Sequence, residues 1–173
     1  MRLMFSIDLI ALERERNAAV TAIFERDDEL WEGANLALTE PVAAEARGRL
    51  MPSGQVLVEG TLKGVLAAEC RRCLSEMTVP FAQEFTTVFA NPGEAGADGD
   101  GGEVREIPVG VAALNLRPVV REELMLHLPR YTVCRDDCAG LCANCGTDLN
   151  VDICDCTASE RDPRWDTLRA VNL

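Results

Sequence analysis

The stretch CRDDCAGLCANCGTDLNVDICDC, residues 134–156, packs six of the chain's eight cysteines into 23 residues. Thiols this dense are disulfide-bonded, metal-bound or redox-active, and each outcome forces the backbone into tight turns around them. The N-terminal MRLMFSIDLIAL bears on the choice. Asp8 interrupts its apolar run, no small-residue cleavage site follows, and Leu3, Phe5, Ile7 and Leu9 alternate as in a strand. With no export signal the expected compartment is the reducing cytoplasm, where clustered cysteines are more often metal ligands or redox groups than disulfides.

The spacing from Cys134 is C-x3-C-x3-C-x2-C-x8-C-x-C, preceded far upstream by C-x2-C at Cys70 and Cys73. Eight thiols make two sets of four, the number that Zn²⁺ takes in tetrahedral Cys₄ sites. CANCG, residues 142–146, is the strongest element: two thiolates three residues apart face one ion across a tight knuckle, and Gly146 relieves the crowding. TDLNVDI is long enough to return Cys154 and Cys156 to the same ion, and residues two apart on a strand point the same way. Cys142, Cys145, Cys154 and Cys156 therefore form the first expected zinc site. Cys134 and Cys138 are left to pair with Cys70 and Cys73, provided the chain turns at Arg71 and Arg72. These four are either a second site or ordinary thiols, Cys70 falling in phase with a strand's core face. The cofactor expectation is one or two Zn²⁺.

Upstream the periodicities favour strands. Leu12 to Phe24 has a muddied helical spacing and is read as a helix. Val42, Ala44, Ala46, Gly48 and Leu50 alternate with charged residues, MPSG supplies a turn, and Val56, Val58, Leu62 and Leu66 continue on the return arm. Gly60 and Gly64 are read as bends or bulges. Val79, Phe81, Phe85 and Phe89 mark a third arm. Residues 91–103, NPGEAGADGDGGE, hold five glycines, four acidic residues and no bulky apolar group, and read as a mobile acidic loop. In LRPVVREELMLHLPR, Val120, Leu124 and Leu128 at four-residue steps predict a helix opened by Pro118, ended by Pro129 and covering one sheet face. His127 lies beside that stripe with no cysteine near it in sequence, and is read as packed or half-exposed. Asp162, Pro163, Trp165 and Leu168 predict a closing helix. The fold class is α+β: an antiparallel β-sheet domain with a covering helix at 1–130, then a small cysteine-rich zinc-binding segment with its helix at 131–173.

The formal charge of −12, with sixteen arginines against the single Lys63, makes non-specific nucleic-acid binding weak, so any RNA contact is local or delegated to a basic partner. No apolar run approaches the roughly 18 residues of a spanning helix, and no membrane partner is expected. Arg71, Arg72 and Arg135 flank the thiols; they compensate the sulfur charge or grip a partner's phosphate. Competing chemistries fit poorly. Cys138, Cys142 and Cys145 spell the C-x3-C-x2-C of radical S-adenosylmethionine enzymes, but only 28 residues follow and no alternating strand and helix series precedes. A thiol oxidoreductase sets its C-x-x-C at the start of a helix in a βαβ unit. No catalytic set assembles around the one histidine.

CRRCL after a long strand, an acidic loop, LNLRPVVREELMLHLPR, then C…C…GLCANCGTDLN…CDC and a closing DPRW resemble the YceD-like family, the large ribosomal RNA subunit accumulation proteins, from about Val56 onward. The resemblance implies a bacterial, cytoplasmic, non-enzymatic factor in accumulation or processing of 23S ribosomal RNA. Its expected partners are pre-ribosomal large-subunit RNA or a basic large-subunit ribosomal protein. An iron-sulfur or thiol redox protein is the alternative.

Overall fold

In the computed structural model, which describes residues 5–93, 104–129 and 131–156, Asp8 ends the first strand early. Its carboxylate accepts from the backbone N–H groups of Ile10 and Ala11, both at 2.9 Å. It thereby caps helix α1 (Leu9–Glu15) directly after strand β1 (Ser6–Asp8). Arg16 swings into the left-handed region at φ 64° and the chain enters β2 (Asn17–Phe24). The helix expected over Leu12 to Phe24 thus gives way to a strand at Asn17. Ala18, Val20, Ala22 and Phe24 alternate at period two, and burying that face outweighs the helical spacing of Ala19 with Ile23, which is left exposed.

The hairpin read from Val42 onward is present as β3 (Val42–Leu50) and β4 (Val56–Glu69), antiparallel from Ala43↔Lys63 to Leu50↔Val56. Met51 N–H donates to the Gln55 carbonyl at 2.8 Å, and Gly54 takes φ +87° in the connecting turn. β5 (Glu76–Ala90) follows, and β6 (Val104–Glu106) lies parallel to its end. The five-stranded sheet runs β2-β3-β4-β5-β6, while β1 pairs with β7 (Ala113–Asn115) in a separate ribbon. At Gly60 the β3–β4 register runs unbroken, so no bulge interrupts that pairing. The glycine is there for close approach: a Cβ would meet the Phe85 ring at 2.4 Å and the Glu45 carbonyl at 2.6 Å. Gly64 makes the same room for Phe81, at 2.7 Å.

Helix α2 (Arg117–His127) has proline in its first turn and sends Val119, Val120 and Leu124 into one buried cluster with Val42, Ala44, Val58, Leu62, Phe85 and Phe89. It covers the sheet as its stripe predicts. Phe24 anchors the same core, with Phe5 edge-on at 5.7 Å, Trp31 edge-on at 6.0 Å and the Arg117 guanidinium 5.2 Å over its ring. Arg117 is paired in turn with Asp28, and Arg105 of β6 reaches Glu122 of α2 at 2.7 Å. His127 is half-exposed, its Nδ1 beside the Glu123 carbonyl at 3.0 Å.

Two compact units divide the chain: residues 1–68 with 78–130, and residues 69–77 with 131–173. The second unit takes in the β4–β5 connection, and with it all eight cysteines. Among the described residues no helix is long and apolar enough to cross a membrane. The expected closing helix around Trp165, and residues 94–103 of the expected acidic loop, lie outside the described residues.

Candidate metal centres

Two six-residue turns, CRRCLS at Cys70–Ser75 and CANCGT at Cys142–Thr147, are built alike. In each, the first cysteine's N–H donates to the carbonyl five residues on, Cys70 to Ser75 at 2.9 Å and Cys142 to Thr147 at 2.8 Å. The N–H four residues on returns to the first cysteine's carbonyl, from Leu74 and from Gly146, both at 2.9 Å. That fourth residue is left-handed both times, Leu74 at φ 60° and Gly146 at φ 75°. The backbone thereby doubles back and aims its two thiols the same way, as a knuckle around an ion requires. The turn demanded at Arg71 and Arg72 is thus present. Cys70, in phase with Leu62 and Leu66 of β4, is fully buried.

Each knuckle is completed by two more thiols. The sulfurs of Cys70, Cys73, Cys134 and Cys138 lie within 4.8 Å of one another, as do those of Cys142, Cys145, Cys154 and Cys156. Cys70 to Cys138 is 3.9 Å and Cys73 to Cys134 is 3.7 Å. Tetrahedral bonds of about 2.3 Å to one ion place the sulfurs about 3.8 Å apart. A disulfide needs about 2.05 Å, and all eight cysteines are free. Either quartet could hold a metal ion. Residues 152–156 form no strand, so Cys154 and Cys156 converge by an irregular path and not by the strand geometry expected for C-x-C.

Hydrogen bonds to sulfur favour thiolate. Cys70 accepts from the N–H groups of Arg72 at 3.4 Å and Cys134 at 3.3 Å, and Cys142 from Asn144 N–H at 3.4 Å. The Ser75 hydroxyl lies 3.1 Å from the Cys73 sulfur, and the Thr147 hydroxyl 3.1 Å from that of Cys145. Backbone N–H groups, that of Cys73 foremost, bring the Cys70 thiol down to about 6; the Thr147 hydroxyl and N–H bring Cys145 to about 6. One sulfur of each set is pushed the other way. Burial, with Cys138 and Cys70 alongside, pushes Cys134 up to about 12, and the neighbouring Cys145 sulfur with burial pushes Cys156 up to about 12. Four anions this close need a cation between them to coexist.

Arg71, Arg72 and Arg135 are all exposed around these turns. Arg72 Nη1 donates to the carbonyls of Asp136 at 2.8 Å and Cys138 at 3.0 Å, stitching the upstream knuckle to the downstream segment. Arg135 reaches Asn150 Oδ1 at 2.8 Å and Asp137 at 3.2 Å, and the Arg71 guanidinium lies 5.3 Å over the Tyr131 ring. Sequence reasoning passed over Ser75, Thr147 and Asn150, all of which touch or reach toward a cysteine sulfur. The signal for the first two was there: C-x-x-C-x-[ST] occurs twice in the chain.

Uncharacterized proteins of Mycobacterium bovis and Mycobacterium tuberculosis are each 31% identical over 178 residues, covering 92% of this chain and 77% of the relative. One of Mycobacterium leprae is 33% identical over 103 residues, covering 58% of this chain and 46% of its own. No solved structure matches. The family model of the large ribosomal RNA subunit accumulation protein YceD matches residues 58–172, a span that takes in both knuckles and all eight cysteines, and the chain belongs to that family.

Proposed function

We propose that this protein is a non-enzymatic ribosome-biogenesis factor of the bacterial cytoplasm that supports accumulation or processing of large-subunit 23S ribosomal RNA, and that two Zn²⁺ ions fix its binding surface. The family name implies the role in large-subunit RNA accumulation. The observation that carries the zinc reading is the pair of cysteine quartets, each within 4.8 Å. Zinc supplies charge and tetrahedral geometry without redox chemistry, and its binding free energy, about 10–16 kcal/mol in small zinc folds, serves as folding free energy. An iron-sulfur cluster spreads its thiolates over several irons and holds them farther apart than ligands of one ion. The sulfur separations therefore favour a single ion per quartet. They also divide Cys138 from Cys142 and Cys145, which breaks up the radical-enzyme triplet.

Each ion with four thiolates carries a net charge of about −2, so two would take the protein from −12 to about −16. That field favours a basic large-subunit ribosomal protein as the direct contact, shielded until it meets RNA, over pre-ribosomal RNA itself. The exposed Arg71, Arg72 and Arg135, which also hold contacts within the cysteine-rich unit, are the groups we assign to acidic or phosphate groups of the partner. The test is co-purification of tagged protein with pre-ribosomal particles: association that survives nuclease identifies a protein contact, and association lost with nuclease an RNA contact. Recovery only in ribosome-free fractions during growth refutes both. Metal analysis of protein purified without air should give two zinc and no iron or sulfide.

A further inference from the structure

Asn150 sits in the loop between Cys145 and Cys154 of one quartet, yet its side chain reaches a sulfur of the other. Its Nδ2 donates to Cys138 Sγ at 3.5 Å and to Asp148 Oδ1 at 2.6 Å. Its Oδ1 accepts from Arg135 Nη2 and from the Ala139 N–H, both at 2.8 Å. All four hydrogen-bonding positions of the carboxamide are used, two donors and two acceptors, so neither a flipped amide nor a carboxylate satisfies the same partners. The loop is held in turn by the residues that flank the second knuckle. Leu149 N–H donates to the Gly140 carbonyl at 2.9 Å, Leu141 bridges Asp148, and Asp148 Oδ1 accepts from Asn150 N–H at 2.9 Å.

We infer that Asn150 couples the two centres: closing the Cys142 quartet on its ion presents this carboxamide to Cys138 and so raises the affinity of the Cys70 quartet. The order follows from chain separation. The Cys142 quartet closes within 142–156, whereas the Cys70 quartet must close a loop from Cys73 to Cys134 at greater entropic cost. By linkage the coupling is reciprocal. It rests on the reading of both quartets as metal centres. Asn150 is a positioning residue that acts through Cys138.

The test is Co²⁺ titration of the full chain against a chromophoric chelator, with C70S/C73S supplying the spectrum of the Cys142 quartet for subtraction. N150A and N150D should each weaken the Cys70 quartet about 10- to 100-fold, the usual effect of losing a hydrogen bond to a ligand. Their sulfur-to-cobalt band should move to lower energy, because an unbonded thiolate gives up charge more readily; a merely structural role would leave the band in place. C142S/C145S should weaken the Cys70 quartet in the presence of Asn150 and have little further effect in the N150A chain. An unchanged Cys70-quartet affinity in N150A, or additive losses in the combined chain, overturns the coupling while leaving two metal centres. No Co²⁺ uptake at either quartet overturns the metal reading and the coupling with it.

Discussion

Gly140→Ala and Gly146→Ala form a matched pair that separates backbone strain from steric contact within the cysteine-rich unit. Both glycines are left-handed, at φ +77° and +75°. A side chain in that conformation costs about 1–2 kcal/mol. A Cβ at Gly146 meets nothing within 4 Å, and Leu74 already occupies the equivalent place in the other knuckle at φ 60°. A Cβ at Gly140 meets the Arg72 carbonyl at 2.9 Å and Arg72 Cβ at 3.3 Å. That carbonyl accepts from Leu141 N–H at 2.9 Å, so it cannot retreat without breaking the bond. Overpacking against such a fixed wall adds about 1–3 kcal/mol. If folding of this unit is coupled to metal binding, as proposed, the penalty appears in metal affinity. Gly140→Ala should weaken Zn²⁺ binding by about 5- to 150-fold more than Gly146→Ala, each measured by chelator competition against wild type. Equal losses from the two substitutions would refute the packing of Gly140 on Arg72.

Cys142→Ser with Cys156→Ser should lower bound zinc from two ions to one per chain, counted by native mass spectrometry; unchanged stoichiometry removes these residues from the ligand set. Gly60→Ala drives a methyl into the Phe85 ring and the Glu45 carbonyl, and should cost about 1–3 kcal/mol in chemical denaturation. Adding Phe85→Leu should recover part of that loss. Phe24→Ala removes the ring shared by Phe5, Trp31 and Arg117 and should cost about 3–5 kcal/mol, read from the same unfolding curves. Cys134 and Cys156 hold their protons up to about 12, so an entering metal displaces them and affinity rises with pH. Proton release in weakly buffered solution measures this, and pH-independent binding would contradict it.

The sheet and its helix were legible wherever one periodicity ran uninterrupted. Val42 to Leu50, Val56 to Leu66 and Val79 to Phe89 each keep their buried apolar residues in one phase, and Pro118 with Pro129 brackets α2. Asn17 to Phe24 was misread because two of its four inward positions, Ala18 and Ala22, are alanine, whose weak pattern was overshadowed by the neighbouring charge run. The three-residue parallel pairing of β6 depends on long-range geometry that no local pattern records. At the candidate centres, C-x-x-C spacing reveals which thiols share a knuckle. Which knuckle takes Cys134 and Cys138 came from counting ligands, and the geometry joins them to Cys70 and Cys73. Asn150 left no trace in the spacing, since its role depends on a loop folding back across twelve residues to Cys138.

A quartet drawn from two distant segments also sets a timetable. During synthesis Cys70 and Cys73 leave the ribosome long before Cys134 and Cys138 exist to join them. For that interval a pair of thiols waits at the tip of a growing hairpin, half of a binding place. A chain cut short before Cys134 would stay in that condition, exposed to oxidation and to stray metal, whereas a chain that includes Cys134 and Cys138 closes the gap itself.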